Sequence, residues 1–185
     1  MLNIFRSKWS DYPLVMPEID LRARLPMNHL KKMRVLNVGA GSGYSGLARQ
    51  LPFLPFKELD HCDIENIYLD AARAKQWRAK KVIFINQDIR KMAFQNYDLI
   101  LMFDVLEHLP KEDSLAVLKK IICPHLIFIP LEEEFRANIY EAKSQDHLSL
   151  WTKKEFDDLG YRTEELPFFH NEDGRRFSAL WAHKY

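Results

Sequence analysis

Cysteine is scarce in this sequence. Cys62 and Cys123 are the only two, each in or beside an apolar, strand-like stretch and neither in a CxxC-type pair. That excludes a disulfide framework and a cysteine-ligated zinc site, and points to reduced thiols in a cytoplasmic protein. Long apolar runs are missing too. No stretch nears the roughly 18 residues of a membrane-spanning helix, so no membrane partner is expected. Arg6, Lys8 and Asp11 precede no apolar signal core, so export is not expected either. Nor is there a surplus of one charge. The 27 Lys+Arg and 26 Asp+Glu leave a net +1, which removes any whole-chain polyelectrolyte reason to bind nucleic acid. The balance is uneven along the chain. Residues 1–57 hold 9 basic and 3 acidic residues, or +6, and residues 58–185 hold the other 18 and 23, or −5. The basic third reads first as a solvated face and second as a contact for an anionic partner. Repeats and low-complexity tracts are absent.

Glycine is also rare, with six in 185 residues, and this makes its placement informative. Gly39, Gly41, Gly43 and Gly46 crowd into eight positions of "VLNVGAGSGYSG", Val35–Gly46. A backbone there bends tightly and lets something approach closely; a plain tight turn is the alternative.

The pattern predicts an α/β protein. Residues 1–30, with Pro13, Pro17 and Pro26, read as an N-terminal arm with a short helix near 18–24, and Trp9 and Tyr12 as parts of a lid. Strands are expected at Arg34–Val38, Phe56–Cys62, Val82–Asn86, Asp98–Phe103 and His125–Ile129. Helices are expected at Ser45–Leu51, 66–78 and 111–122. "TKKE", Thr152–Glu155, is a capping-box pattern for a helix ending at Gly160. Two β-rich runs, Arg162–Phe169 and Arg176–His183, flank the turn "NEDG". A βα repeat closed by a hairpin predicts one domain over 1–185, a doubly wound, mostly parallel sheet with helices on both faces. Ligands of such sheets sit beyond the strand carboxyl ends, where Gly39–Gly43, Asp63, Asp88 and Phe103–Asp104 all fall. "HCD", His61–Asp63, puts neighbouring donors on opposite strand faces, so no metal site is expected there or elsewhere.

Two readings fit the glycine turn. "GSGYSG" with Asp63 twenty residues beyond Gly43 matches the dinucleotide fingerprint of an NAD(P)-dependent oxidoreductase. Gly39, Gly41 and Gly43 also read as GxGxG. "VLNVGAGSG", "DIENIYLDAARAK", "NQDI", "YDLILMFDVLEHL" and "HLSLWTKKEFDDLGYRTEELPFF", in this order, resemble the successive motifs of the class I S-adenosylmethionine-dependent methyltransferases across residues 33–183. The terminal hairpin favours this reading, because a dehydrogenase needs a further parallel unit or a substrate domain. The resemblance implies a seven-stranded sheet with its last strand antiparallel, and S-adenosylmethionine as cofactor.

It also implies site residues. Gly39, Ala40, Gly41 and Gly43 would approach the methionine moiety, with Phe103 near its chain. Asp63 would accept from the ribose hydroxyls or cap a helix, or both. Asp88 would accept from the adenine amino group while the Ile89 amide donates to the ring, or would be a turn aspartate. Ile64 would lie on the adenine face. Asn37 stands where the family usually has an acidic residue, keeping an acceptor and losing its charge; a non-catalytic binding module that kept the fold is the reading this departure favours.

Methyl transfer needs a base only where the acceptor must lose a proton. Asp104, Glu107, His108 and His147 are the candidates, against packing for His108 and a surface place for His147. Trp151 is either a stacking platform or a core anchor. No NPPY-type or cysteine-nucleophile motif names a nucleobase acceptor. A small molecule is the expected partner, with nucleic acid or protein left open, and segments 1–30 and 131–150 are expected to select it.

Overall fold

The computed structural model describes residues 19–39, 41, 47–132, 144, 146–172 and 175–185. Trp9, Tyr12, Ala40, Gly43 and most of segment 131–143 therefore lie outside the described residues. Seven strands form one sheet: β1 (Arg34–Val38), β2 (Glu58–Asp63), β3 (Lys81–Asn86), β4 (Leu99–Phe103), β5 (His125–Pro130), β6 (Arg162–Glu172) and β7 (Arg175–Lys184). Their order is β3-β2-β1-β4-β5-β7-β6. Neighbours pair in parallel from β3 to β5, and β7 pairs antiparallel with both β5 and β6. Only the last strand runs backwards, as expected.

Alternation along the strands builds two cores. Leu36, Val38, Ile100, Met102 and Ile127 pack on one face against Val117 and Leu118 of α3 (Lys111–Lys120) and Phe156 of α4 (Lys153–Asp158). Val35, Leu59, Leu101, Phe103 and Trp181 pack on the other, against Leu21 of α1 (Leu21–Arg24) and Leu51. Strands buried on both faces explain the unbroken apolar runs of β4 and β5.

Two crossovers differ from expectation. The segment after the glycine turn is a 3-10 helix over Leu47–Phe53 that contains Pro52, which cannot donate to an α-helical ladder. Between β3 and β4 the chain makes only a 3-10 turn, Ile89–Lys91, so the βα repeat is incomplete there. The helix expected over 66–78, α2, spans only Asn66–Arg73. Trp77 ends it: the indole N–H donates to the Ala72 carbonyl at 3.1 Å, and the ring turns inward against His61.

The capping box at Thr152 forms as read. Thr152 Oγ1 accepts from the Glu155 N–H at 3.3 Å, and Glu155 Oε2 accepts from the Thr152 N–H at 2.8 Å. Lys111 joins this corner through Glu155 Oε1 at 2.6 Å, with its ammonium 3.8 Å from the Trp151 ring centroid. Trp151 is 1% exposed and donates to Ser149 Oγ at 3.0 Å, so it is the core anchor of the two alternatives.

Candidate functional site

The carboxyl ends of β1, β2 and β4 meet at one sheet edge, with the strand order reversing between β1 and β4. Gly39 follows β1 with φ +65°, and Gly41 has φ +53°, both in the left-handed region. A Cβ on Gly39 would lie 2.6 Å from Val105 Cγ2. One close approach that demands glycine at 39 is thus made by the chain's own β4 loop. Asp104, just after β4, is one of two non-glycine residues with positive φ among the described residues, at 54°. Gly39→Ala is expected to cost roughly 1–2 kcal/mol for the left-handed backbone and about 1–3 kcal/mol for overpacking. Urea unfolding checks this, and Val105→Ala in the same chain should restore the packing share alone. An unchanged midpoint for Gly39→Ala would contradict it.

Asp63 ties β2 to the turn. Its carboxylate accepts from the Gly41 N–H at 3.0 Å and the Glu65 N–H at 2.8 Å. The side chain is 8% exposed, and burial raises its pKa against the lowering effect of those two bonds. Ile64, the next residue, is 54% exposed, a large apolar side chain beside a strand end.

Asp88 is placed differently from Asp63. It caps the 3-10 turn through the Arg90 N–H at 2.9 Å, and the Arg90 guanidinium grips both its oxygens at 2.6–3.0 Å. That guanidinium holds the carboxyl below its usual range. Ile89 is buried in the α3-side core. Phe103 is buried and its ring stacks on Trp181, with centroids 6.1 Å apart.

Asn37 faces its register partner, His61. Asn37 Nδ2 and His61 Nδ1 are 3.2 Å apart, and both residues are 1% exposed. Asn37 Oδ1 is buried with no hydrogen-bond partner among the described residues. His61 lies 4.5 Å from the Trp77 ring and 5.7 Å from the Phe84 ring, centroid to centroid. Burial lowers its pKa to about 3, so it is neutral. Burial likewise pushes the Cys62 thiol up to about 12.

Beyond β4 the chain brings together residues that the sequence offered singly. The N–H groups of Leu148 and Ser149 both donate to the Glu107 carbonyl, at 2.7 and 3.0 Å. This pins 146–149 along the 3-10 turn Leu106–His108. The His108 and His147 rings then sit 5.0 Å apart beside the buried Glu107. Only the "EHL" and "DHL" triplets signalled this pairing, and their contact depends on tertiary placement.

Residues 35–123 match the family model described as a methyltransferase domain. Three solved structures share the fold. CurJ carbon methyltransferase superposes with a TM-score of 0.60 at 17% identity, over 87% of this chain and 50% of its own. The chain thus spans half the length of CurJ. Magnesium protoporphyrin IX methyltransferase (ChlM) from Synechocystis PCC 6803 with bound SAH gives 0.57 at 16%, over 89% and 78%. The small RNA methyltransferase HEN1 gives 0.53 at 15%, over 84% and 24%. No curated protein matches by sequence. The fold is shared with Rossmann-like methyltransferases, and the cofactor that such a fold implies is S-adenosylmethionine.

The residues present fit the cofactor. Gly39 and Gly41 have left-handed backbones, Asn37 Oδ1 is a buried acceptor with no hydrogen-bond partner among the described residues, and Asp63 is a nearly buried carboxylate beside Gly41. Among the described residues no helix is long and apolar enough to cross a membrane.

Proposed function

We propose that this chain is an active methyltransferase acting on a small-molecule acceptor in the cytoplasm. The observation that carries this reading is the Asp63 carboxylate, held at the Gly41 amide at the switch point of the sheet. Asn37, Gly39, Ala40, Gly41 and Gly43 would hold the methionine end, as the amides of a glycine turn favour a carboxylate. Asp63 would hold the ribose, and Ile64 would lie on the adenine face. Asp88 and Ile89 would hold the adenine edge, with Arg90 sharing the Asp88 carboxylate. Phe103 would support the pocket wall from the core side.

When bound, S-adenosylmethionine supplies an electrophilic methyl group. The chain's own part is to align the acceptor in line with it, and alignment alone is worth up to roughly 7–11 kcal/mol. Asp104, His108 and His147 would be the candidates to take a proton from an acceptor that carries one. CurJ and ChlM support a small acceptor and HEN1 an RNA; the chain's near-zero net charge favours the former. The two free cysteines, one buried and one half-buried, support a reducing compartment.

Asn37 favours a second reading, a binding module without catalysis, since its amide is engaged with His61 instead of offering a charge. Calorimetry with S-adenosylmethionine and S-adenosylhomocysteine decides between them. Saturable binding of both is expected for the enzyme. Absence of binding at millimolar concentration would sink the enzyme reading.

A further inference from the structure

We propose that Glu107, His108 and His147 form a binding site for a divalent first-row metal ion, of the zinc, cobalt or manganese type. The proposal deepens the methyltransferase reading and rests on it for the role of the metal, though not for the site itself. One donor atom from each residue lies within 4.8 Å of the other two. Glu107 is 2% exposed and both histidines are half-buried, so the cluster is anchored in the fold and not a loose surface group.

The geometry of His108 is specific. Its Nδ1 sits 3.2 Å from the Asp146 carbonyl, a distance at which the ring N–H donates to that oxygen. This fixes the tautomer and makes Nε2 the ligand nitrogen on the side of Glu107. A backbone carbonyl behind one ring nitrogen, with the other presented, is the usual support of a metal-bound histidine. On the presented side, Nε2 is 3.9 Å from Glu107 Oε1, longer than a hydrogen bond. An ion bonded at about 2.0–2.2 Å to each would need them only slightly closer.

The frame is rigid where it must be. The Leu148 and Ser149 amides lock the His147 segment to the Glu107 carbonyl, and Ser149 Oγ donates to the Leu106 carbonyl at 3.1 Å. Two imidazoles and a carboxylate suit zinc, iron, cobalt or manganese over calcium or magnesium. Three protein ligands leave positions open, the arrangement of a working rather than a purely structural ion.

The site follows β4 at the edge that carries Gly39 and Asp63. An acceptor hydroxyl binding the open position would have its pKa lowered by the metal. Its O–H bond would break with the proton leaving to water, His108 and His147 then serving as ligands in place of proton acceptors. The oxygen would then form its bond to the methyl carbon as the sulfur–carbon bond breaks, with no further proton to place. The acceptor class is therefore a hydroxyl-bearing compound.

Co2+ is the probe. Titrating the full, metal-stripped chain should give one saturable site with visible d–d absorption. His108→Asn and His147→Gln should each weaken it at least about tenfold. Glu107→Gln should weaken it as well, and Cys123→Ser should leave it unchanged. Thermal unfolding of the metal-free variants shows whether each remains folded, and the half-exposed His147→Gln carries the test if Glu107→Gln does not. Absence of a saturable site, or one that persists in the His108→Asn/His147→Gln double variant, overturns the proposal. S-adenosylhomocysteine binding is measured on the same samples. Cofactor binding without a Co2+ site refutes the metal alone, and a Co2+ site without cofactor binding refutes the methyltransferase reading alone.

Discussion

Asp63→Ala is expected to raise the dissociation constant for S-adenosylhomocysteine at least tenfold, while Asp104→Ala changes it far less. Hydrogen bonds to a charged group are worth about 1.5–3 kcal/mol, and 1.4 kcal/mol is a factor of ten. The ribose would lose its charged acceptor. The Gly41 and Glu65 amides would lose theirs as well, so the turn loosens along with the pocket. Asp63→Asn separates the two effects, because it keeps one acceptor oxygen and removes the charge. It should hold the turn better than alanine and still bind the cofactor more weakly than wild type. Calorimetry gives the affinities and a thermal melt gives the state of the fold. A folded Asp63→Ala that binds as tightly as wild type would remove the ribose from the end of β2.

The second large effect is on acid stability. His61 is buried neutral with a pKa of about 3, against 6.5 for a free histidine. Above pH 6.5 neither the folded nor the unfolded state holds the proton, and the residue adds no pH dependence. As pH falls from 6.5 toward 3, the unfolded chain takes up a proton that the fold refuses, so stability drops throughout that window. At about 1.36 kcal/mol per pKa unit the full loss is on the order of 3–6 kcal/mol. His125 is also buried, its pKa is lowered, and it adds to the loss in the same direction. Asp63, with a raised pKa, works the other way and offsets part of it. Phenylalanine at 61 fits between Trp77 and Phe84 and removes the titration, at the cost of leaving Asn37 Nδ2 without its partner. Urea unfolding across that pH range should therefore give a flatter acid limb for His61→Phe, from a lower plateau. Equal slopes for the two proteins would refute the assignment.

The fold class was legible because its signals are local. β1, β4 and β5 are short apolar runs ending in a turn residue, and Thr152–Glu155 carries its own cap. Where the sequence misled, a distant contact had decided. The end of α2 at Arg73 is set by Trp77 turning to meet His61, and no helix propensity records that. Asn37 reads as a cofactor residue from its place before the glycines. Its amide nitrogen also meets a histidine on the next strand, in a register that the sequence does not print. Glu107, His108 and His147 were visible as separate proton acceptors. Their grouping depends on the Leu148 and Ser149 amides finding the Glu107 carbonyl across the fold. The sheet edge and the glycine turn could be read in one dimension, and the chemistry around them could not.

The outer strand β6 bears on the protein's solubility. Leu166 stands opposite Ala179 and His170 opposite Phe177, so three residues of β6, 167–169, face Ser178 alone. The register slips within an eleven-residue edge strand, and Pro167, which has no N–H to offer, lies inside the slip. A long flat edge would be a template on which a second chain could add a strand. One whose register slips around a proline interrupts that template in its middle. Straightening β6 by deleting the extra residues would regularise its pairing with β7 and at the same time present an unbroken row of amides and carbonyls to any neighbouring molecule. The irregular pairing thus works against intermolecular strand addition, a property of the protein in a crowded solution that no measurement on an isolated molecule would register.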